Sequence, residues 1–234
     1  ADSAPTSGGP SSSKESPPES KPSQPEPMVS SSSSDEDEEV QESSESELDI
    51  DTTNVIKDEE VPSQEMGDET VEVTEEMTDL ADTKLGEAMS AFRHGNYEAA
   101  IASYTEGIKA NPMSAPMYAK RACCFIKLKR PNAAIKDCDR AISVNPDSAQ
   151  ALKWRGMAHK MLGHWDEAYI ELSASNKIDF NEDTFESMKE VEGNAKKVME
   201  HKRKQERKKE ERELRERQKR VRKARKEYER AKKA

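Results

Sequence analysis

The histidines and cysteines of this 234-residue chain are the first candidates for catalytic or metal-binding residues. His159 and His164 are five positions apart and do not share a face of one helix, which favours packing over a joint metal site. Cys123 and Cys124 are adjacent and Cys138 stands alone, a spacing that favours structural thiols over a redox or metal pair. The sequence has no glycine-rich phosphate loop, HExxH helix or GxSxG elbow. We therefore expect no enzyme activity, no cofactor and no metal.

Five other residues could bind a partner through charge and contact area: Lys120, Lys127, Lys153, Trp154 and Lys160. Lysines that share one surface attract an acidic protein surface or segment. The alternative is a lysine face that only water covers. Which of the two applies depends on the elements that carry these residues.

Charge divides the chain into three parts, although the overall net charge is only -10. Residues 1–80 contain 24 acidic and 3 basic residues. Residues 81–185 contain 13 acidic and 14 basic residues, and residues 186–234 contain 11 acidic and 21 basic residues. With 32% hydrophobic residues, the chain cannot form one globular domain over its full length. We expect an acidic tail, a folded middle and a basic end.

Residues 1–68 consist largely of Ser, Pro, Glu and Asp and are predicted to be a disordered linker. Ser44 and Ser46 lie beside acidic residues, so phosphorylation by an acid-directed kinase is the alternative to a plain linker. A run of about 18 apolar residues and a secretory signal are both absent, and the cysteine count is odd, which favours a cytoplasmic protein that enters no membrane. The chain begins without methionine and ends within a helical pattern, so we expect it to be part of a longer protein.

A period of 34 residues follows the first predicted helix, which begins near Thr74. Small and large residues recur in four registers at this spacing: Ala100, Ala134 and Ala168; Tyr97, Pro131 and Trp165; Tyr104, Cys138 and Leu172; and Gly107, Ala141 and Ser175. The pattern resembles the tetratricopeptide repeat, a helix–turn–helix unit. The predicted fold is all-α, with three repeats stacked in a right-handed α-solenoid, because no unit could bury its apolar face alone. The repeat domain would span residues 74–182, as units 81–114, 115–148 and 149–182.

Residues 183–234 are predicted to cap the third unit and to continue as a long charged, basic helix. The third unit ends in Asp179-Phe180 where the first two units have Asn-Pro, and a capping helix over 183–200 would cover its exposed face. A thin apolar stripe follows at helical spacing: Leu214, Val221, Ala224, Tyr228 and Ala231. This helix either stands alone in water or docks its stripe on a partner, as in a coiled coil.

The concave groove of such an array is lined by the first helix of each unit. The four lysines and Trp154 fall on those helices, together with other residues expected to face the groove: Met89, Phe92, Arg93, Cys123, Met157 and Met161. The groove is therefore predicted to be basic and partly apolar.

Many arrays of this repeat type hold an acidic chaperone tail in a two-carboxylate clamp. The family pattern has Lys and Asn on the first helix, Asn on the third, and Lys and Arg on the fifth. The matching positions here carry other residues: Asp82, Gly86, Lys120, Gln150 and Trp154. A tail clamp is therefore disfavoured, because Asp82 would repel a carboxylate and Trp154 has no guanidinium fork.

Four segments carry a narrower resemblance: 64–69 (QEMGDE), 118–122 (YAKRA), 129–135 (KRPNAAI) and 162–168 (LGHWDEA). Together with the charged helix, they resemble the Hip (Hsc-seventy-interacting protein) co-chaperone family over roughly residues 64–234. The resemblance implies a non-catalytic co-chaperone adaptor that binds the ATPase domain of the cytosolic seventy-kilodalton heat-shock chaperone in its ADP state and slows nucleotide exchange. It also implies that the family homodimerises through an N-terminal segment that this chain lacks.

A nucleic-acid-binding or nuclear-import adaptor is the alternative function. The basic run at 219–226 (KRVRKARK) would meet phosphate backbones favourably. Two features of residues 186–234 disfavour nucleic acid as the partner: 11 acidic residues are interspersed among the basic ones, and Tyr228 is the single aromatic residue. Nucleic acid is therefore the less favoured partner.

Overall fold

Seven α-helices make up the computed structural model, which describes residues 48–58 and 63–234 and has no strand among them. The helices are α1 Glu75–Arg93, α2 Tyr97–Ala110, α3 Ala115–Lys127, α4 Pro131–Val144, α5 Ala149–Leu162, α6 Trp165–Ile178 and α7 Glu182–Lys233. Helices α2, α4 and α6 begin at positions 97, 131 and 165 and end at 110, 144 and 178, so both boundaries repeat after 34 residues. The predicted all-α fold of three helix–turn–helix repeats is confirmed. The disorder predicted for residues 1–47, and the serines at 44 and 46, concern residues outside those described.

Each helix pair turns back at a residue with positive φ, and these residues are also 34 positions apart. They are Gly95, Lys129 and Gly163, with φ of 75°, 57° and 77°. Glycine adopts this conformation freely because it has no Cβ, whereas Lys129 adopts it at a cost of about 1–2 kcal/mol. After the first turn, Asn96 Oδ1 accepts the N–H of Ala99 at 3.1 Å and so begins α2.

Small residues at the crossings let the paired helices approach closely. Five alanines at these crossings are fully buried: Ala88, Ala100, Ala122, Ala134 and Ala168. In the third unit the position corresponding to Ala88 and Ala122 is Gly156, where a Cβ would lie 2.8 Å from Leu172 Cγ. The alanines of the register read from the sequence, Ala100, Ala134 and Ala168, are therefore fully buried in all three repeats.

Residues 48–58 and 63–73, here called the strap, run along the repeats in the order opposite to the chain. The carbonyl of Asp49 accepts a hydrogen bond from α7 at 2.8 Å. The N–H of Ile56 donates to the last turn of α5 at 2.7 Å, and the Asp58 carboxylate accepts from the first turn of α4 at 2.9 Å. The strap thus passes from the last helix toward the first repeat.

The second part of the strap reaches the first two repeats. Gln64 donates to a carbonyl of α4 at 2.7 Å, and the N–H of Gly67 donates to the hydroxyl of Tyr118 at 3.2 Å. Residues 48–58 and 63–68 therefore have defined contacts with the helices, whereas the sequence predicts that residues 1–68 are disordered. The physical reason is that polar backbone groups and isolated apolar side chains of the strap find partners at the helix ends, although the segment has no core of its own.

Helix α7 is continuous over 52 residues, whereas the sequence suggested a capping segment followed by a long helix. Its first part packs on α6 through Val191 and Ala195, both fully buried. Its apolar stripe beyond that part is exposed: Leu214 by 54%, Val221 by 63% and Tyr228 by 68%. None of the described helices has an apolar stretch long enough to span a membrane.

Candidate partner-binding groove

Residues of α1, α3 and α5 line a groove of about 450 Å³. Its lining residues are Met89, Phe92 and Arg93 of α1, Tyr104 of α2, Lys120, Cys123 and Lys127 of α3, and Gln150 and Trp154 of α5. The first helices of successive units therefore supply nearly all of the lining, as the repeat pattern predicts. Tyr104 is an addition to the predicted lining, because its register with Cys138 and Leu172 marks it only as a core residue.

Three cations border this groove without an acidic partner. Arg93, Lys120 and Lys127 form no salt bridge within the described part of the chain, and no lining residue is acidic. Burial raises the pKa of the Cys123 thiol to about 11, and the charges of Lys127, Lys153 and Lys120 oppose that shift. The three lysines are therefore close enough to the thiol to create a positive potential over an apolar floor.

The remaining residues proposed from the sequence lie along α5. Lys153 Nζ lies 5.2 Å from the centre of the Trp154 ring and donates to Asn181 Oδ1 at 3.0 Å. Because asparagine is neutral, the charge of Lys153 stays available to a partner. Lys160 instead forms a salt bridge with Glu190 of α7. Of the five proposed residues, Lys120, Lys127 and Trp154 line the groove, Lys153 lies beside it, and Lys160 ties α5 to α7.

Three of the five clamp positions line the groove. Those on α3 and α5 line the groove, but Asp82 and Gly86 of α1 do not. The α1 side is formed instead by Met89, Phe92 and Arg93, which offer one guanidinium beside two apolar side chains. The only guanidinium in the groove lining is therefore that of Arg93, which is not at a clamp position.

The comparisons with known proteins agree with the repeat architecture. The family model "Tetratricopeptide repeat" matches residues 85–143. The chain is 42% identical over 153 residues to Hsc70-interacting protein 1 of Drosophila melanogaster, a match that covers 65% of this chain and 41% of that protein. The chain contains tetratricopeptide repeats and is similar to the Hsc70-interacting proteins. The family resemblance recognised in the sequence is thereby confirmed.

The chain is also similar to the TPR repeat-containing thioredoxin TDX of Arabidopsis thaliana, at 44% identity over 163 residues. That match covers 70% of this chain and 43% of the relative, so the chain spans about two fifths of the length of either relative. The three cysteines of the chain do not form a C-x-x-C pair. Among solved structures, the second TPR domain of the human RPAP3 protein in complex with an HSP70 peptide has a TM-score of 0.47 and 27% identity, over 50% of this chain and 98% of that domain.

Proposed function

We propose that this chain is a non-catalytic, cytoplasmic adaptor that binds the ATPase domain of a seventy-kilodalton heat-shock chaperone in its ADP state and slows nucleotide exchange. The relative from Drosophila melanogaster is named for an interaction with Hsc70, which supports a chaperone as the partner. The groove supports a folded surface, rather than a peptide end, as the feature that is bound.

The observation that carries this proposal is a basic groove without a carboxylate clamp. Arg93, Lys120 and Lys127 lie on two helices around an apolar floor and have no acidic partner within the described residues. Distributed cations of this kind fit an acidic protein surface, because a broad electrostatic contact depends on summed charge and not on one bidentate pair. Lys153 and Trp154 extend the same contact along α5.

Helix α7 supplies a second part of the proposed contact. Residues 202–234 are exposed over their whole length in the structure and contain 18 basic and 7 acidic residues. A partner with an acidic surface would gain from both the groove and this helix. The binding surface is therefore composite, and neither part alone should retain the full affinity.

The test is a calorimetric titration of the isolated ATPase domain, with ADP and with ATP, against the wild-type chain. The C-terminal peptide of the chaperone is titrated in parallel, and release of a fluorescent nucleotide reports the exchange rate. The Lys120→Glu, Lys127→Glu and Lys153→Glu triple variant should lose at least about tenfold in affinity for the ATPase domain, and removal of residues 201–234 should also weaken binding. The affinity should fall as salt rises.

Lys177→Glu is the matched control for Lys127→Glu, because both lysines are exposed and only Lys127 lines the groove. The control should bind as the wild type does. Binding of the peptide but not the ATPase domain would overturn the proposal, as would undiminished binding by the triple variant.

The test does not include a substitution of Lys160. Lys160→Glu would place two acidic side chains next to each other at the α5–α7 contact.

A nucleic-acid-binding or nuclear-import adaptor is the second candidate function, and the exposed basic end of α7 favours it. Every residue of the run at 219–226 is exposed to solvent. A gel-shift titration with duplex DNA and single-stranded RNA separates the two functions. Binding that survives physiological salt and is lost when residues 219–226 are removed would favour this second function over the first.

A further inference from the structure

The turn between α5 and α6 brings two histidines together on the surface away from the groove lining. His159 lies in the last turn of α5 and His164 caps the start of α6, and Gly163 allows the reversal through its φ of 77°. The two Nδ1 atoms are 3.2 Å apart, and the ring centres are 5.5 Å apart. His159 is half-buried and His164 is exposed, so this pair is open to solvent on one side.

A carboxylate on α6 lies near the inner imidazole, that of His159. Glu171 Oε1 lies 3.9 Å from His159 Nε2 and 2.8 Å from Arg155 Nε. The other oxygen of Glu171 is buried without a hydrogen-bond partner in the described residues. At 3.9 Å this carboxylate is near Nε2 but does not accept a hydrogen bond from it. His159 Nδ1 is the nitrogen directed at His164, and a proton on Nε2 would leave the Nδ1 lone pair available to a metal.

We propose that His159 and His164 form a two-histidine site for a divalent transition metal that prefers imidazole, with Cu²⁺ bound more tightly than Zn²⁺. Metal–nitrogen bonds of about 2.0–2.1 Å with a bond angle near 90–110° place two ligand nitrogens about 2.9–3.4 Å apart. The observed 3.2 Å lies in that interval. Without metal, the same distance is closed by a hydrogen bond between the two Nδ1 atoms, and the metal replaces the shared proton.

Charges of both signs surround this turn. The carboxylates of Asp139 and Asp166 favour a positive charge at His159, whereas His164 and Arg155 oppose it. Only a neutral imidazole can coordinate a metal, because the metal binds the lone pair of a ring nitrogen. No cluster of three or more His, Cys, Asp or Glu side chains forms a metal cage in the described residues, so water completes the coordination.

The chain has only four histidines, which makes the test specific. The whole chain is titrated calorimetrically with Cu²⁺ and with Zn²⁺ near neutral pH, and the Cu²⁺ complex is examined by electron paramagnetic resonance. One equivalent of metal should bind, and the spectrum should show coupling to two imidazole nitrogens. His164→Ala should weaken binding by about tenfold or more and leave coupling to one nitrogen at most.

The double variant His94→Ala and His201→Ala is the matched control, because it also removes imidazoles but leaves the turn intact. It should bind metal as the wild type does. Since His164 is exposed, circular dichroism of His164→Ala should give an unchanged helical spectrum and melting temperature, which separates loss of the site from loss of the fold. Equal binding by His164→Ala and the wild type, or the same loss in the control, would overturn the proposal.

Discussion

Arg121 and Asp137 form a two-pronged ion pair, with 2.7 Å between each pair of atoms, and both side chains are fully buried. The strap completes the arrangement, because Arg121 Nη1 donates to the carbonyl of Glu65 at 2.9 Å and Gln64 Nε2 donates to Asp137 Oδ1 at 3.2 Å. Thr105 Oγ1 accepts a further hydrogen bond from Arg121 at 2.9 Å. The pair therefore joins both helices of the second repeat to the first repeat and to the strap.

Removal of one partner of this pair should be strongly destabilising. Arg121→Met leaves the Asp137 carboxylate buried without its cation, which typically costs about 3–5 kcal/mol. Urea unfolding followed by circular dichroism gives the free energy. Lys84→Met, which removes an exposed i,i+3 salt bridge with Glu87, is the control and should cost less than about 1 kcal/mol. Similar losses in both variants would contradict the importance of the buried pair.

The strap should be displaced by a single methyl group at Gly67. A Cβ there would lie 2.6 Å from the carbonyl oxygen of Ile108 and 2.7 Å from Pro112 Cβ, so Gly67→Ala should cost about 1–3 kcal/mol. Gly86→Ala is the matched control, because the methyl group it adds would have no atom within 4 Å and alanine favours the helix interior. Limited proteolysis should cut the strap faster in Gly67→Ala only. An intact strap in that variant would argue against the close contact.

The strained turn between α3 and α4 offers a stabilising substitution. Lys129 has a φ of 57°, whereas the corresponding turns have glycine at 95 and 163. Lys129→Gly should therefore raise the free energy of unfolding by about 0.5–1 kcal/mol, after the entropy that glycine adds to the unfolded chain is subtracted. Thermal melting measures the change. A lower melting temperature for Lys129→Gly would mean that contacts of the lysine side chain outweigh the backbone strain.

The three thiols should be unreactive in the native protein. Burial raises the pKa of Cys123 to about 11 and that of Cys124 to about 12, and burial also raises the pKa of Cys138. Since the thiolate is the reactive form, reaction with a disulfide reagent at pH 8 should be slow in the folded state and rapid in denaturant. Cys123 should react first as pH rises, because it lines the groove. A thiol that reacts at the unfolded rate in the native protein would contradict this burial.

The repeats could be predicted from the sequence because each helix boundary recurs with the period of the small residues. The 34-residue spacing of Ala100, Ala134 and Ala168 fixed the register, and the groove lining followed from it. The ion pair between Lys160 and Glu190 could not be predicted in this way, since α7 does not share the repeat period and its rotation about its own axis is set by packing on α6.

The contacts of the strap with the repeats could not be predicted from the sequence for a different reason. Its composition is acidic and poor in apolar residues, which favours disorder when a segment must form its own core. The structure places Ile50 and Val55 against the cluster around Trp165, and Met66 against the cluster around Tyr118. The available signal was these isolated apolar residues, whose partners lie far away along the chain.

A stack of helical repeats ordinarily has contacts only between neighbours, so its units can separate one after another. The strap adds contacts that skip this order, such as the hydrogen bonds of α7 with Asp51 and Asp49 across 143 and 148 positions of the chain. The strap contacts all three repeats and α7. If any one repeat unfolds, the strap loses contacts there, and its contacts with the other repeats become weaker as well. The consequence is cooperativity: denaturation should follow a single sharp transition in the whole chain, and it should become broader and stepwise once residues 1–68 are removed.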